Sequence, residues 1–267
     1  MTSRTNAIDL ESALARLAAG TQDDPFGVLG PHRAADGRGF VIRTFQPAAS
    51  AVAVRPVGAR GAAAGDLVME RRGPEGLFET LVPSASEEVP EYRLRVTRYD
   101  GTVSEVDDPY RYGVVLSDYD LHLLGEGTHY QAHEKLGAHV ITVGGAAGVH
   151  FAVWAPNAAR VSVVGDFNGW DGRTHPMRRL LPNGIWELFV PGLQAGEKYK
   201  FEIRARDTGQ VQQKVDPYAR AFEVPPRSAS IVWHDGGYAW GDAAWMAARA
   251  EANHWFDRPL SIYEAHL

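Results

Sequence analysis

The spacing of hydrophobic positions changes along the chain and divides it into segments of different predicted structure. In the opening segment Ile8, Leu14 and Leu17 recur at a helical period and Gly20 follows, which predicts a short amphipathic helix ending at that glycine. From about residue 24, apolar and polar residues alternate in short runs rich in β-branched and aromatic side chains, as from Phe40 to Phe45. Glycine, proline and aspartate separate these runs. The pattern predicts antiparallel strands joined by turns.

The strand-rich part contains an internal repeat of four markers in one order. The matched positions are Pro47 and Pro156, Gly76 and Gly184, Tyr92 and Tyr199, and Asp108 and Asp216, at spacings of 109, 108, 107 and 108 residues. A unit of this length is the size of one β-sandwich domain. We therefore predict an all-β fold of two tandem immunoglobulin-like β-sandwich modules.

The segments between and after the two units lack the strand pattern. From Leu116 to His139 the sequence predicts an ordered connector with a helical turn at 130–136, closed by Gly137. The alanine-rich segment from Asp242 to Asn253 predicts a helix. The chain ends within an apolar, strand-like run from Ser261 to Leu267, which we interpret as a truncation. The predicted segments are an N-terminal helix (1–23), the first sandwich (24–114), the connector (115–139), the second sandwich (140–235), a partly helical linker (236–259) and a closing strand (260–267).

Composition narrows the possible partners. Of the 267 residues, 45% are hydrophobic and 22% are charged, which is ordinary for a soluble globular protein, and the formal net charge is -6. An acidic chain without clustered basic residues argues against nucleic acid as the main partner. The absence of cysteine excludes thiolate chemistry and disulfides. Neither a secretory leader nor a membrane-spanning apolar run is visible, so we expect no membrane partner and a cytoplasmic location.

The most specific motif is Gly-Asp-Phe-Asn-Gly-Trp at 165–170, where an apolar strand enters a turn that carries an indole. This motif, together with Trp186-Glu187-Leu188 and Tyr199-Lys200-Phe201, resembles the glycogen- and starch-binding module (carbohydrate-binding module family 48) found in front of α-amylase-superfamily enzymes. It also resembles the glycogen-binding domain of AMP-activated kinase β subunits. The resemblance implies that α-glucans such as glycogen and maltooligosaccharides are the partner.

Further runs resemble bacterial 1,4-α-glucan branching enzymes in particular. They are Asp24 to His32, Leu116 to His122, Gly125 to His129, and Ser261 to Leu267. In that family the last run is the first strand of a catalytic (β/α)₈ barrel, and the catalytic carboxylates lie beyond it. The resemblance therefore implies a non-catalytic N-terminal region of an enzyme that forms α-1,6 branches, inactive alone, with its own barrel as a second partner. A free-standing glycogen-binding protein, or the front end of a debranching or trehalose-forming hydrolase, remain alternatives.

A glucan site needs an aromatic plate for the apolar face of the sugar and polar groups for its hydroxyl rim. We predict Trp170 as the plate and Asn168 and Lys200 as the rim partners; the alternative is that Trp170 folds back as a cap on the core. Trp154 and Trp186 lie within strand patterns and are expected in the core.

Two observations limit this prediction. The hairpin at 207–214 offers no second plate, since no aromatic residue lies there. The first unit has Val54 to Arg60 in place of the turn motif, so we interpret it as a degenerate copy that packs rather than binds.

The remaining candidate chemistry is weak. His129 and His133 stand four residues apart, as two metal ligands on a helix would, but no third ligand is suggested, and we interpret them as surface or capping residues. No pair of carboxylates has the setting of an acid and base couple. We predict no catalytic residue, no metal and no cofactor.

Overall fold

The structure, a computed structural model, describes residues 10–57, 65–73, 76–234, 236, 239–251, 259 and 261–266. The chain divides into two units, residues 1–234 and 235–267. In the first unit the strands form four sheets, each antiparallel throughout.

Two of these sheets form the first sandwich. Its described strands are β1 (Gly30–Arg33), β2 (Gly39–Phe45), β3 (Ala49–Pro56), β4 (Leu67–Val68), β5 (Glu70–Arg72), β6 (Leu77–Pro83), β7 (Tyr92–Arg98) and β8 (Val103–Val106). They pair in the orders β1-β2-β6-β5 and β4-β3-β7-β8. Alternate side chains of the long strands, including Ile42, Val54, Phe78 and Leu94, are buried between the sheets. The strand pattern in the sequence is thereby explained.

The second sandwich has the same construction. Its strands are β9 (Gly137–Val143), β10 (Ala146–Trp154), β11 (Ala158–Gly165), β12 (Arg178–Leu180), β13 (Ile185–Pro191), β14 (Lys198–Ala205), β15 (Val211–Lys214), β16 (Ala221–Phe222) and β17 (Ser230–Ile231). They pair as β12-β13-β10-β9 and β11-β14-β17-β16, with β15 also on β14. The predicted all-β fold of sandwich modules is confirmed.

A shared irregularity shows how closely the two sandwiches correspond. The pairing of β3 with β7 shifts register between Ala49 and Ala51, and that of β11 with β14 shifts between Ala158 and Arg160. Both shifts follow the repeated proline marker. A bulge at one place in both copies is a structural feature of the repeat itself.

The repeated Asp-Pro-Tyr marker has one structural role in both copies. Tyr92 donates a hydrogen bond to Asp108 Oδ2 over 2.6 Å, and Tyr199 donates one to Asp216 Oδ2 over 2.5 Å. Burial, the largest influence, raises the pKa of both carboxyl groups, that of Asp108 to about 6. Each pair ties the end of its sandwich to a central strand.

The two sandwiches share a hydrophobic core at their junction, in addition to the separate core inside the first sandwich. Helix α1 (Leu10–Ala18) contributes Ala13 and Leu17, the first sandwich contributes Leu29 and Tyr110, and most of the remaining side chains come from the interior of the second. Tyr110 meets the ring of Phe26 edge-on at 5.1 Å and donates a hydrogen bond to Pro176 O over 3.1 Å. The modules are therefore fused rather than strung on a flexible linker.

The connector contains a helix that the sequence pattern did not predict. Helix α2 (Asp118–Glu126) begins with a reciprocal capping box between Ser117 and Asp120 and ends at Gly127, which has φ 73°. The turn predicted at 130–136 is a short 3-10 turn, Ala132–Glu134. The connector covers the outer face of the β12-β13-β10-β9 sheet, where a third, small core includes Leu136.

A buried carboxylate fixes the connector to that sheet. Glu187, fully buried, accepts hydrogen bonds from the backbone amides of Val115 and Leu116, both over 3.1 Å, and from His150 Nε2 over 3.0 Å. Arg178 Nε lies 3.0 Å from Glu187 Oε1 as an ion pair. The charge is matched by donors from three chain segments, which a buried carboxylate requires.

The second unit contains the helix α3 (Ala243–Glu251), inside the segment predicted to be helical. Its Arg249 guanidinium lies over the Trp245 ring at 5.3 Å. Residues 261–266 have no regular secondary structure, so the closing strand stays a prediction. In the described parts of the chain, no helix is both long and apolar enough to span a bilayer.

Candidate functional site

The turn after β11 is shaped by the side chain of Asn168. Its Oδ1 accepts a hydrogen bond from Gly165 N over 3.0 Å, and its Nδ2 donates to Val163 O over 3.0 Å and to His175 Nδ1 over 2.9 Å. Burial lowers the pKa of His175 to about 4, so the neutral ring can accept this bond. Most of the hydrogen-bonding capacity of Asn168 is thus used inside the turn.

Trp170 stands at the end of this turn with an unusual backbone. Among the described residues it is the only non-glycine with positive φ, at 61°, and its amide donates to Gly165 O over 3.0 Å. The half-buried indole donates its Nε1 hydrogen to Asp166 Oδ1 over 2.9 Å. Because the N–H lies in the ring plane, this bond fixes the indole and occupies neither face. Strained backbone conformations of this kind cluster at binding and catalytic sites, which makes Trp170 a candidate site residue.

Lys200 lies on the outer face of β14, because its neighbours Tyr199 and Phe201 point into the core. Its position is paired with Val164, one residue before the turn begins at Gly165. Lys200 Nζ donates a hydrogen bond to Ser228 Oγ over 2.9 Å. The structure therefore brings Lys200 next to the strand that carries the turn, with Ser228 as its direct partner.

A second lysine links this face to the turn. Lys198 Nζ lies 3.9 Å from Asp166 Oδ2, the carboxylate that holds the Trp170 indole, and 3.5 Å from Glu223 Oε1. The alternation of β14 puts Lys198 on the same face as Lys200.

Sequence reasoning missed Asp166, Lys198 and Ser228. The two-residue spacing of the lysines was a visible signal for Lys198, whereas Ser228 is distant in sequence and no local pattern indicates it.

Comparison with known proteins identifies both modules. Residues 10–110 match the family model of the N-terminal domain of alpha-1,4-glucan branching enzyme GlgB, and residues 135–219 match carbohydrate-binding module 48, described as the isoamylase N-terminal domain. The 1,4-alpha-glucan branching enzyme GlgB of Paramagnetospirillum magneticum is 53% identical over 94% of this chain and 32% of that enzyme. That of Rhodospirillum rubrum is 48% identical over 96% and 34%. The chain corresponds to the N-terminal region of 1,4-alpha-glucan branching enzymes GlgB.

The chain spans about one third of the length of these curated relatives. Among solved structures, type I pullulanase from Bacillus subtilis str. 168, complexed with maltose, aligns with a TM-score of 0.34 at 21% identity. That alignment covers 75% of this chain and 26% of the pullulanase.

The two repeated modules differ at the position of the turn. In the second module, β11 leads into the Trp170 turn. In the first module β3 ends at Pro56, and residues 58–64, on which the predicted replacement for the turn partly falls, lie outside the described residues. On the second module, β15 is exposed along its length and has no aromatic side chain.

The structure separates the two tryptophans that were both expected in the core. Trp186 is fully buried and donates its indole hydrogen to Ala155 O over 3.0 Å. The expectation for Trp154 was wrong, since that side chain is 62% exposed. It is the last residue of β10, and the alternation that sends Val153 inward sends Trp154 to the connector side. There the sheet face is only partly covered.

The two histidines of the connector do not form a metal site with other residues. His129, expected to be a surface or capping residue, is not at the surface: its side chain is 7% exposed, and its Nε2 lies 3.1 Å from Oδ1 of Asp120, a residue of the α2 capping box. Within the described ranges, no group of three or more His, Asp or Glu side chains could hold a metal ion.

The positive φ of Trp170 leads to a prediction about stability. Because alanine resists this backbone conformation and glycine does not, we expect Trp170→Gly to unfold with a free energy about 1 kcal/mol higher than Trp170→Ala. Both variants lack the indole, so the comparison isolates the backbone. Urea unfolding of the two proteins measures the difference, and an alanine variant as stable as the glycine variant would contradict the strained turn.

Proposed function

We propose that this chain is the non-catalytic N-terminal region of a branching enzyme and that its second module binds α-glucan at the Trp170 turn. The observation that carries the proposal is the fixed indole, held in a costly backbone conformation by Asp166 and Gly165. An indole face covers the C–H face of a glucose ring, and the hydroxyl rim needs polar partners beside it. Lys200 and Ser228 are the proposed rim partners, and Asn168 holds the turn.

The expected affinity is low. A single plate with two or three rim hydrogen bonds reaches about 4–7 kcal/mol, which corresponds to roughly millimolar to tens of micromolar dissociation constants. We therefore propose that the module keeps a glucan chain near the catalytic part, and that the fused sandwiches also support that part. If glycogen is the α-glucan bound, the protein acts where glycogen is made, so we also propose a cytoplasmic location.

Calorimetric titration with maltoheptaose tests the proposed site. We expect Trp170→Ala to weaken binding by about tenfold or more, because it removes the plate. Lys200→Ala should weaken it by about two- to tenfold, the value of one rim hydrogen bond. Tyr99→Ala is the matched control, since this exposed aromatic residue lies in the first module. Wild-type affinity in the Trp170 variant would remove the indole from the proposal.

A further inference from the structure

A cavity of about 490 Å³ lies between the connector and the outer face of the β12-β13-β10-β9 sheet. The side chains that matter for its chemistry are Leu124, His129, Leu136, Trp154, Ile185 and Tyr218. No lysine, arginine, aspartate or glutamate lines it in the described part of the chain. Its size is that of a small-ligand site, and its lining suits a neutral, partly apolar ligand.

The indole of Trp154 has a fixed orientation at this cavity. Its Nε1 donates a hydrogen bond to Asn183 O over 3.1 Å, and the side-chain amide of Asn183 donates to Leu121 O of α2. The ring is thus attached by its edge to the connector helix while 62% of the side chain stays exposed. An exposed indole held in this way is available as a flat apolar surface.

A buried polar atom accompanies the indole. The His129 Nε2 lies 3.1 Å from Asp120 Oδ1, a carboxylate that also pairs with Lys135 Nζ at 3.4 Å. A hydrogen on Nε2 leaves a lone pair on Nδ1, and that buried atom has no hydrogen-bond partner in the structure. Leaving such an atom unpaired is costly, so a hydroxyl group entering the cavity would gain a partner there.

We propose that this cavity is a second α-glucan subsite, in which Trp154 covers one sugar face and His129 Nδ1 accepts a hydroxyl hydrogen. The choice of ligand class rests on the proposed function. The subsite is separate from the Trp170 turn, because Trp154 faces outward from one sheet of the sandwich and Lys200 faces outward from the other. One glucan chain or two could therefore contact both faces of the module.

Indole N–H signals in two-dimensional NMR test this subsite in the Trp170→Ala background, where the first site is removed. The signal that disappears when Trp154→Ala is added identifies the Trp154 indole; the chain has seven tryptophans, and one fewer in this background. We expect this signal to shift saturably with maltoheptaose. A further Ala132→Trp substitution fills the cavity from its rim. It should raise the apparent dissociation constant for maltoheptaose, read from the Trp154 signal, by at least about tenfold. Tyr130→Ala, an adjacent 97% exposed aromatic residue outside the lining, should leave it unchanged.

Each other outcome has a definite meaning. A Trp154 signal that ignores maltoheptaose overturns the subsite, whatever Trp170 does. A signal that shifts with protein concentration instead of sugar also overturns it and indicates a surface for protein association. Conversely, a saturable Trp154 response together with full wild-type affinity in Trp170→Ala supports this subsite and removes Trp170 from the proposed function.

Discussion

Glu187→Ala is expected to lower the free energy of unfolding by about 3–5 kcal/mol, the usual cost of removing one partner from a buried ion pair. The variant leaves Arg178 without its carboxylate partner and the amides of Val115 and Leu116 without an acceptor. For a folded unit of this size the melting temperature should fall by roughly 10 °C. Thermal and urea unfolding of the two proteins measure the effect.

The repeat supplies the control. Glu79 occupies the equivalent position in the first module but is partly exposed, with Arg43 at 3.0 Å, so Glu79→Ala should cost about 1 kcal/mol or less. Equal losses in the two variants would contradict the anchoring role of Glu187.

The same cluster has a definite pH dependence. Burial alone would raise the pKa of Glu187, but the hydrogen bond from His150 and the charge of Arg178 hold it below the ordinary 4.5. Its stabilisation is therefore complete above that ordinary value and is lost as the pH falls through the folded-state pKa. The difference between wild type and Glu187→Ala should be largest near neutral pH and shrink in acid.

The second large effect is expected at the junction of the modules. Tyr110→Ala should lower the free energy of unfolding by about 3–5 kcal/mol, as for other buried aromatic residues. The substitution empties a place in the shared core and removes the contact with Phe26 and the hydrogen bond to Pro176 O. Because the shared core contains side chains of both modules, the two should still unfold in one transition, followed by circular dichroism and tryptophan fluorescence together.

Tyr218→Ala is the matched variant, since Tyr218 is the repeat equivalent of Tyr110 but is 36% exposed. We expect it to cost about 1 kcal/mol or less, as for ordinary surface substitutions. Two separate transitions in Tyr110→Ala, with the second module unfolding as in wild type, would contradict the shared core.

Much of the fold could be predicted from the sequence because the strands and the repeat appear as local patterns of residues. The alternation of apolar and polar residues located the strands, and the marker spacing matched Tyr92 with Tyr199. In the structure each of these tyrosines donates a hydrogen bond to the aspartate of its own module. The connector helix was missed because its apolar positions are few. Its ends were nevertheless visible in the Ser117 and Asp120 capping box and in Gly127. End signals can therefore reveal a helix whose hydrophobic pattern is weak.

The candidate site was less predictable for a physical reason. The turn motif located Trp170, but the sequence did not show that Asn168 is committed to the turn or that Lys200 meets Ser228. Trp154 was assigned to the core because a strand pattern gives alternation without saying which face is covered. The connector covers the outer face of the β12-β13-β10-β9 sheet only in part, and the extent of this cover depends on tertiary structure rather than on local sequence.

The most direct test is a crystal structure of residues 1–267 with maltoheptaose. A glucose ring lying flat on the Trp170 indole, with hydroxyl groups near Lys200 and Ser228, is the predicted result. If the sugar instead bound the first module while this indole stayed bare, the division of roles between the two repeated sandwiches would be wrong.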